Sequence, residues 1–385
     1  MPTVLALTLC FFNFVGFNAA RVVLTLYALD LGAPSSAVGV LGGMFYLFPL
    51  LLSWPIGSAN DRYPARGLLL IGSGVGTLAM LLPYFFRVVP VLYVAAALSG
   101  LALAFFHVTL QNLIGTLSKP DERARNFSNF SLVGAVTNFV GPLVAGFSID
   151  HFGHRYACLA PVAIALIALV LVLTKGRIFP GARKEAPAAK SGTTLLDRNV
   201  LMMLATSSLV QLGTDVFQFY VPIYGHAIGL SATAIGSVLA SFAAAAFVVR
   251  IFLARLVKTM DADKLLAYSF CAGAIGFGLM PLFESSLALM MVAFIFGLGM
   301  GLGTPLTVIL MFSRSAEGRS GQTLGVRLTA NNSVRVFGPM VFGAVGSAFG
   351  IWPVFVINAA LMGSGALFSL SGKTGNDPQA RPAKR

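Results

Sequence analysis

Residues 175–198 read KGRIFPGARKEAPAAKSGTTLLDR, a stretch rich in Pro, Gly, Ser and basic side chains. It separates two long apolar tracts, each of which would need a membrane to be soluble. The tracts are copies of one another. Shifting the second onto the first by 197 positions, the separation of Gly16 and Gly213, lays Tyr27 on Tyr224, Gly32 on Gly229, Gly39 on Gly236 and Gly100 on Gly297. The same register later brings Gly141-Pro142 onto Gly338-Pro339, Gly146 onto Gly343 and Phe152-Gly153 onto Phe349-Gly350. One offset held without a gap over that distance marks a duplicated unit, a construction shared by many secondary transporters.

Composition excludes a water-soluble domain. Charged residues make up 10% of the 385 positions against 57% hydrophobic, where a soluble chain carries about one quarter charged. Twelve apolar segments of crossing length can be marked: 4–28, 37–58, 67–86, 90–117, 126–149 and 156–174 in the first half, then 200–226, 232–256, 264–283, 286–313, 322–349 and 352–371. The short alternating segments of a membrane β-barrel are not seen. The N-terminal segment has no basic leader and runs on through Arg21, so it reads as a retained span whose abrupt start leaves room for a few upstream residues. Cys10, Cys158 and Cys271 fall inside apolar segments and suggest neither disulfides nor a metal cluster.

The net charge of +13 is a topology signal, with no implication of nucleic acid. On this map Arg62, Arg66, Lys119, Arg123, Arg125, the central stretch, Arg255, Lys258, Lys264, Arg314, Arg319 and the tail from Lys373 lie on one side, against Arg87 and Arg155 on the other. The positive-inside rule places both termini and the linker in the cytoplasm.

The first loop on the basic side runs Gly57-Ser-Ala-Asn-Asp61-Arg62-Tyr-Pro-Ala-Arg66. A Gly, three residues, Asp-Arg and a basic residue four positions on is similar to the loop between helices 2 and 3 of the major facilitator superfamily, although Pro64 and Ala65 depart from its usual Gly and Arg. Twelve segments, a basic linker and this loop extend the resemblance over the whole chain. It implies an all-α membrane protein of twelve transmembrane helices in two pseudo-symmetric six-helix bundles, of the bacterial 12-helix type in the inner membrane. The expected division is 1–174, a linker 175–199, a second bundle 200–371 and a tail 372–385. It also implies a cytoplasmic gate built from Gly57, Asp61, Arg62 and Arg66, with Arg327 as a partner for Asp61. The equivalent loop of the second half, residues 254–264, keeps its charge but lacks the Gly and the Asp-Arg pair.

Gly141, Pro142 and Gly146 resemble the helix 5 signature of the superfamily's antiporters, with Ala145 and Thr137 where Gly is usual. Gly338 and Pro339 repeat the element in segment 11, so it serves equally well as a helix-packing device of the duplicated unit. Asp150, His151 and His154 cluster between segments 5 and 6, but short turns often read this way, no second cluster accompanies them, and no metal is assigned.

A charge at mid-membrane costs about 3 kcal/mol, so each one demands a reason. Arg21, His107, Asp215, Arg327 and Arg335 stand well inside their segments. Gln211, Asp215 and Gln218 share one face of segment 7, and Asn18, Arg21 and Thr25 share one face of segment 1. The repeat sets Asn18 against Asp215 and Arg21 against Gln218, so Arg21 and Asp215 are expected to neighbour one another between the halves. Desolvation favours the neutral acid and a cation favours the carboxylate, so opening such a pair would let Asp215 take up a proton; a static bridge fits equally. His107 and Gln111 on segment 4, Thr304 and Thr307 on segment 10, and Arg335 on segment 11 complete the candidate substrate and proton path, with Arg327 and Arg335 able to attract an anion. In the superfamily segments 1, 4, 7 and 10 line the cavity.

The reading is a secondary transporter moving a small organic solute by alternating access, a monomer using protons and no cofactor, with efflux preferred. The alternatives are proton-coupled uptake of an organic anion and a membrane sensor without turnover. An enzyme is not expected, since no nucleophile and base stand together.

Overall fold

The computed structural model describes residues 2–118, 122–179, 198–314 and 320–371. The linker and tail therefore lie outside the described residues. Twelve long helices follow in order: α1 (Pro2–Asp30), α2 (Ser35–Arg62), α3 (Ala65–Phe85), α4 (Val89–Leu117), α5 (Arg123–Ala157), α6 (Leu159–Lys175), α7 (Arg198–Ala227), α8 (Ala232–Thr259), α9 (Ala262–Leu279), α10 (Ser286–Arg314), α11 (Ser320–Phe349) and α12 (Ile351–Ser371). Ten have the length and apolarity to cross a bilayer. The other two, α7 and α11, bear Gln211, Asp215 and Gln218, and Arg327, Asn331 and Arg335.

The duplication is visible in the turns. Among the described residues four glycines hold positive φ, and they form two pairs at the repeat offset: Gly32 with Gly229, and Gly153 with Gly350. After α1, Ala33 N–H reaches Ala28 C=O at 2.9 Å; after α7, Leu230 N–H reaches Gly225 C=O at 2.9 Å. Both are Schellman closures, in which a left-handed residue that Gly tolerates satisfies the last carbonyls of the helix. One expectation is corrected here. The stretch from Asp150 to Arg155 is not a free turn, because α5 continues helically to the break at Gly153.

Packing repeats likewise. Within the first half α1 meets α5, α2 meets α4, and α3 meets α4 and α6; the second half repeats this as α7 with α11, α8 with α10, and α9 with α10 and α12. The halves join along α2·α11 and α5·α8. At the first seam a Cβ on Gly39 would strike the Pro339 carbonyl and come within 2.9 Å of Gly343. At the second, a Cβ on Gly236 would strike the Pro142 carbonyl, the equivalent contact after exchange of halves. The prolines leave carbonyls unpaired within their own helices, and the glycines admit the opposing backbone.

These crossings sit toward the end of the bundle remote from the linker. Along α2, Gly39 and Gly43 are crowded by α11, whereas nothing lies within 4 Å of a Cβ on Gly57. No described atom closes on Gly57 in this conformation, and Gln111 and Thr304, in the linker-side halves of α4 and α10, are exposed, so the linker end is the more splayed of the two. Two polar clasps reinforce the remote end. Asp150 of α5 accepts from the first backbone N–H groups of α8, Ala232 at 2.9 Å and Thr233 at 2.8 Å, and Ser36 N–H of α2 donates to Ser347 Oγ of α11 at 2.7 Å. A carboxylate on a helix N-terminus contributes about 0.5–2 kcal/mol.

Asp150→Ala should therefore open the remote end. With spin labels at Arg87 and Glu284, in a background without the three native cysteines, the longer-distance population should rise about 3- to 10-fold over the parent, a free-energy change within that range. Gly39→Leu, which has no room at the seam, should shift the same distribution further.

Candidate functional site

The polar stripes of α1, α7 and α11 meet where the halves part. Asp215, 4% exposed, accepts from Gln211 Nε2 at 2.7 Å one turn earlier on α7, and Arg335 Nε of α11 lies 3.4 Å from the same Oδ2. Arg21 Nη1 donates to Gln218 Oε1 at 2.8 Å. The expected pairing of Arg21 with Asp215 is thereby exchanged: the carboxylate takes the cation of its own half, and Arg21 crosses to a neutral carboxamide. Tyr46 of α2 joins the two pairs, with Arg335 5.0 Å and Arg21 5.8 Å from its ring centroid. Cation–π attraction across an interface between helices makes this aromatic ring a shared partner.

Beside that layer lies a narrow recess between α1, α5, α7 and α8. Asn18, Arg21, Thr25, Asn138 and Gln218 give it polar walls, and Phe219 and Phe242 give it apolar ones. A few fixed polar groups in a largely apolar recess are the usual makeup of a small-molecule site. Asn138 and Tyr46 are missing from the sequence-level assignment. Asn138, a polar residue four positions before Pro142, was legible as an intramembrane amide; Tyr46 looks like ordinary packing until its two cations are seen.

The remaining candidates divide. His107 and Gln111 are exposed, with the Gln111 amide 3.2 Å from His107 Nε2, and the ring packs near Phe14 and Phe130. Thr304 is exposed, whereas Thr307 is buried and accepts from Arg327 Nη2 at 3.3 Å. Arg327 also donates to Ser207 Oγ at 2.7 Å, and Asn331 joins the same hydroxyl at 3.2 Å. The residue expected to partner Asp61 is thus 5% exposed and bonded to α7 and α10 of its own half. The side chain of Asp61 lies outside the described residues. Arg62 is exposed, and Arg66 donates to the Leu173 carbonyl at 3.1 Å, completing the C-terminus of α6. Gly141 admits Asn18 of α1, and Gly146 admits the start of α8; Gly338 faces Leu212. The Gly-Pro elements of both halves are therefore packing surfaces here.

The polar cluster at the end of α5 is dispersed, each side chain to its own partners. Asp150 holds α8, His151 stacks on Phe147 at 3.9 Å, and His154 lies 3.5 Å from Asp30 and stacks on Tyr27. No group of three metal-ligating side chains is assembled among the described residues.

Comparison with known proteins agrees with this architecture. The model of the Major Facilitator Superfamily matches residues 6–339, and again 203–385. Multidrug resistance protein MdtG of Klebsiella pneumoniae is 24% identical over 379 residues, covering 94% of this chain and 90% of that one. MdtG of Escherichia fergusonii is 22% identical over 367 residues, 92% and 90% of the two chains. Among solved structures, the nucleoside transporter NupG superposes with a TM-score of 0.79 at 12% identity, covering 97% of this chain and 100% of that one. A POT family transporter in complex with a thioalcohol-conjugated peptide gives 0.81 at 12%, with 96% of each chain covered. A duplicated six-helix unit, a polar recess between the copies and a family match along nearly the whole chain make this protein a member of the major facilitator superfamily, a twelve-helix integral membrane transporter.

Proposed function

We propose that the chain exports a small amphiphilic solute from the bacterial cytoplasm by alternating access, as a monomer in the inner membrane, with proton uptake by Asp215 as the coupling step. The observation that carries this reading is the buried carboxylate of Asp215, held between Gln211 and Arg335 beside the recess where the two halves meet. The basic linker side assigns the splayed end to the cytoplasm, so the conformation described is the inward-open one. Export is supported by the relatives named multidrug resistance proteins.

The geometry supplies a cycle. A solute entering from the cytoplasm passes His107, Gln111 and Thr304 and settles beneath Asn18, Arg21 and Gln218. Rocking of the halves then parts the glycine seams, pulls Asp150 from α8 and exposes the recess outside. A proton arriving from there neutralises Asp215 and releases Arg335. Return to the inward-open state restores the ion pair and discharges the proton into the cytoplasm. Asp61, Arg62 and Arg66 are assigned to closure of the cytoplasmic end in the opposite state.

A second reading, uptake of an organic anion, is favoured by the cationic side chains Arg21 and Arg335 at the recess. The two differ in sign. In proteoliposomes, export predicts that a pH gradient drives solute and protons in opposite directions, while uptake predicts the same direction. Asp215→Asn should abolish gradient-driven flux, at least 10-fold, while leaving solute counterflow within about 2-fold. Removing one partner of a buried pair costs about 3–5 kcal/mol, so the double variant Asp215→Asn/Arg335→Gln serves where the single one does not fold. Gradient-driven flux that persists in either variant removes Asp215 from the coupling role.

A further inference from the structure

We infer that the transported solute is an amphiphilic anion whose carboxylate or other oxyanion docks on the free edge of Arg21. The inference rests on the transport reading above and names the chemistry of its site. Arg21 is the one charged residue among those lining the unfilled recess, and it is 8% exposed. Its Nη1 is committed to Gln218. Its Nε is buried without an acceptor, and the residue enters no ion pair among those described. Nε and Nη2 form the side-on fork of a guanidinium, the edge that takes two oxygens of one carboxylate or phosphonate in parallel. The Gln218 bond and the Tyr46 ring hold that fork in place before any ligand arrives, which reduces the ordering cost of binding.

Alternative counter-charges are occupied. Asp215 is held by Arg335 and Gln211, so the layer formed by Arg21, Arg335 and Asp215 keeps one uncompensated positive charge. A cation out of water requires a partner, and an entering anion supplies it. Phe219 and Phe242, also in the lining, fit an apolar or aromatic body attached to the anionic group. Loaded, this layer is neutral and suited to occlusion; empty and protonated at Asp215, it carries two positive charges back.

The test uses the purified full chain and three solutes of one shape: 2-naphthoate, the neutral 2-naphthamide and the cationic 2-naphthylmethylammonium. Affinities are read from thermal stabilisation, and flux from proteoliposomes with imposed pH gradients and potentials. The naphthoate should bind at least 10-fold tighter than the amide, and the ammonium weakest. Arg21→Gln should remove that preference, and Arg21→Lys should retain a part of it, because the charge survives without the fork. Gln218→Glu provides a check that leaves Arg21 in place: the new carboxylate engages the guanidinium, and naphthoate binding should fall at least 10-fold while amide binding changes little. Equal responses to the three solutes, including none, or preference for the cation, overturn the inference. Anion-selective binding without flux in any gradient upholds the ligand class and overturns the transport reading instead.

Discussion

Two backbone crossings govern the conformation of this molecule. Gly39 lies against the Pro339 carbonyl and Gly236 against the Pro142 carbonyl, so each half contributes one glycine and one proline, and the two contacts exchange under the duplication. Lipid offers no hydrophobic drive to hold helices together, and close backbone packing takes its place. Because both crossings lie away from the linker, the closed end, the splayed end and the recess between them follow from one pair of contacts. Asp150 and Ser36 add directional polar bonds to the same end, which converts a packing preference into a latch that a modest change can release.

The pseudo-symmetry also accounts for the charge pattern at the centre of the recess. Arg21 and Gln218 are equivalent positions, and they meet each other across the axis. A residue on such an axis would face its own kind in a symmetric ancestor, and two arginines there would repel. Divergence to Arg and Gln relieves this and leaves Arg21 as the one charged residue lining the recess. The next layer diverged in the complementary sense: Asn18 stands where the second half has Asp215. A symmetric scaffold thus carries an asymmetric charge, which is what gives a ligand an orientation.

Much of this was legible in the sequence because the bilayer restricts the options so severely. Helix number and order followed from apolar length, and the repeat offset paired the glycines that the structure sets at turns and seams. The three positions of α7, at 211, 215 and 218, shared a face as their spacing required. Partner choice was not legible: helical spacing fixes a face, but whether Arg21 or Arg335 reaches Asp215 depends on how far two halves are rotated about their seam. For the same reason Arg327 could be placed near the basic end but not in its network with Ser207 and Thr307. Asp150 was legible only as part of a turn, since its partner is the start of a helix 82 positions away.

In the proposed cycle the sign of coupling turns on one pair. An unprotonated Asp215 neutralises Arg335, and its protonation releases a second cation beside an anion on Arg21. By Coulomb's law the anion is then held more tightly, so proton and anion favour each other at equilibrium. Export accordingly requires order: the proton must reach Asp215 after the solute has left outside, and must depart inside before the next one enters. On the proposed reading that order starts from the conformation described, in which Arg335 already stands against Asp215. Return of the empty layer moves positive charge inward, and a membrane potential negative inside drives that leg. Were the proton admitted while the anion is bound, the same residues would carry both inward, so direction in this carrier is decided by when Asp215 is exposed.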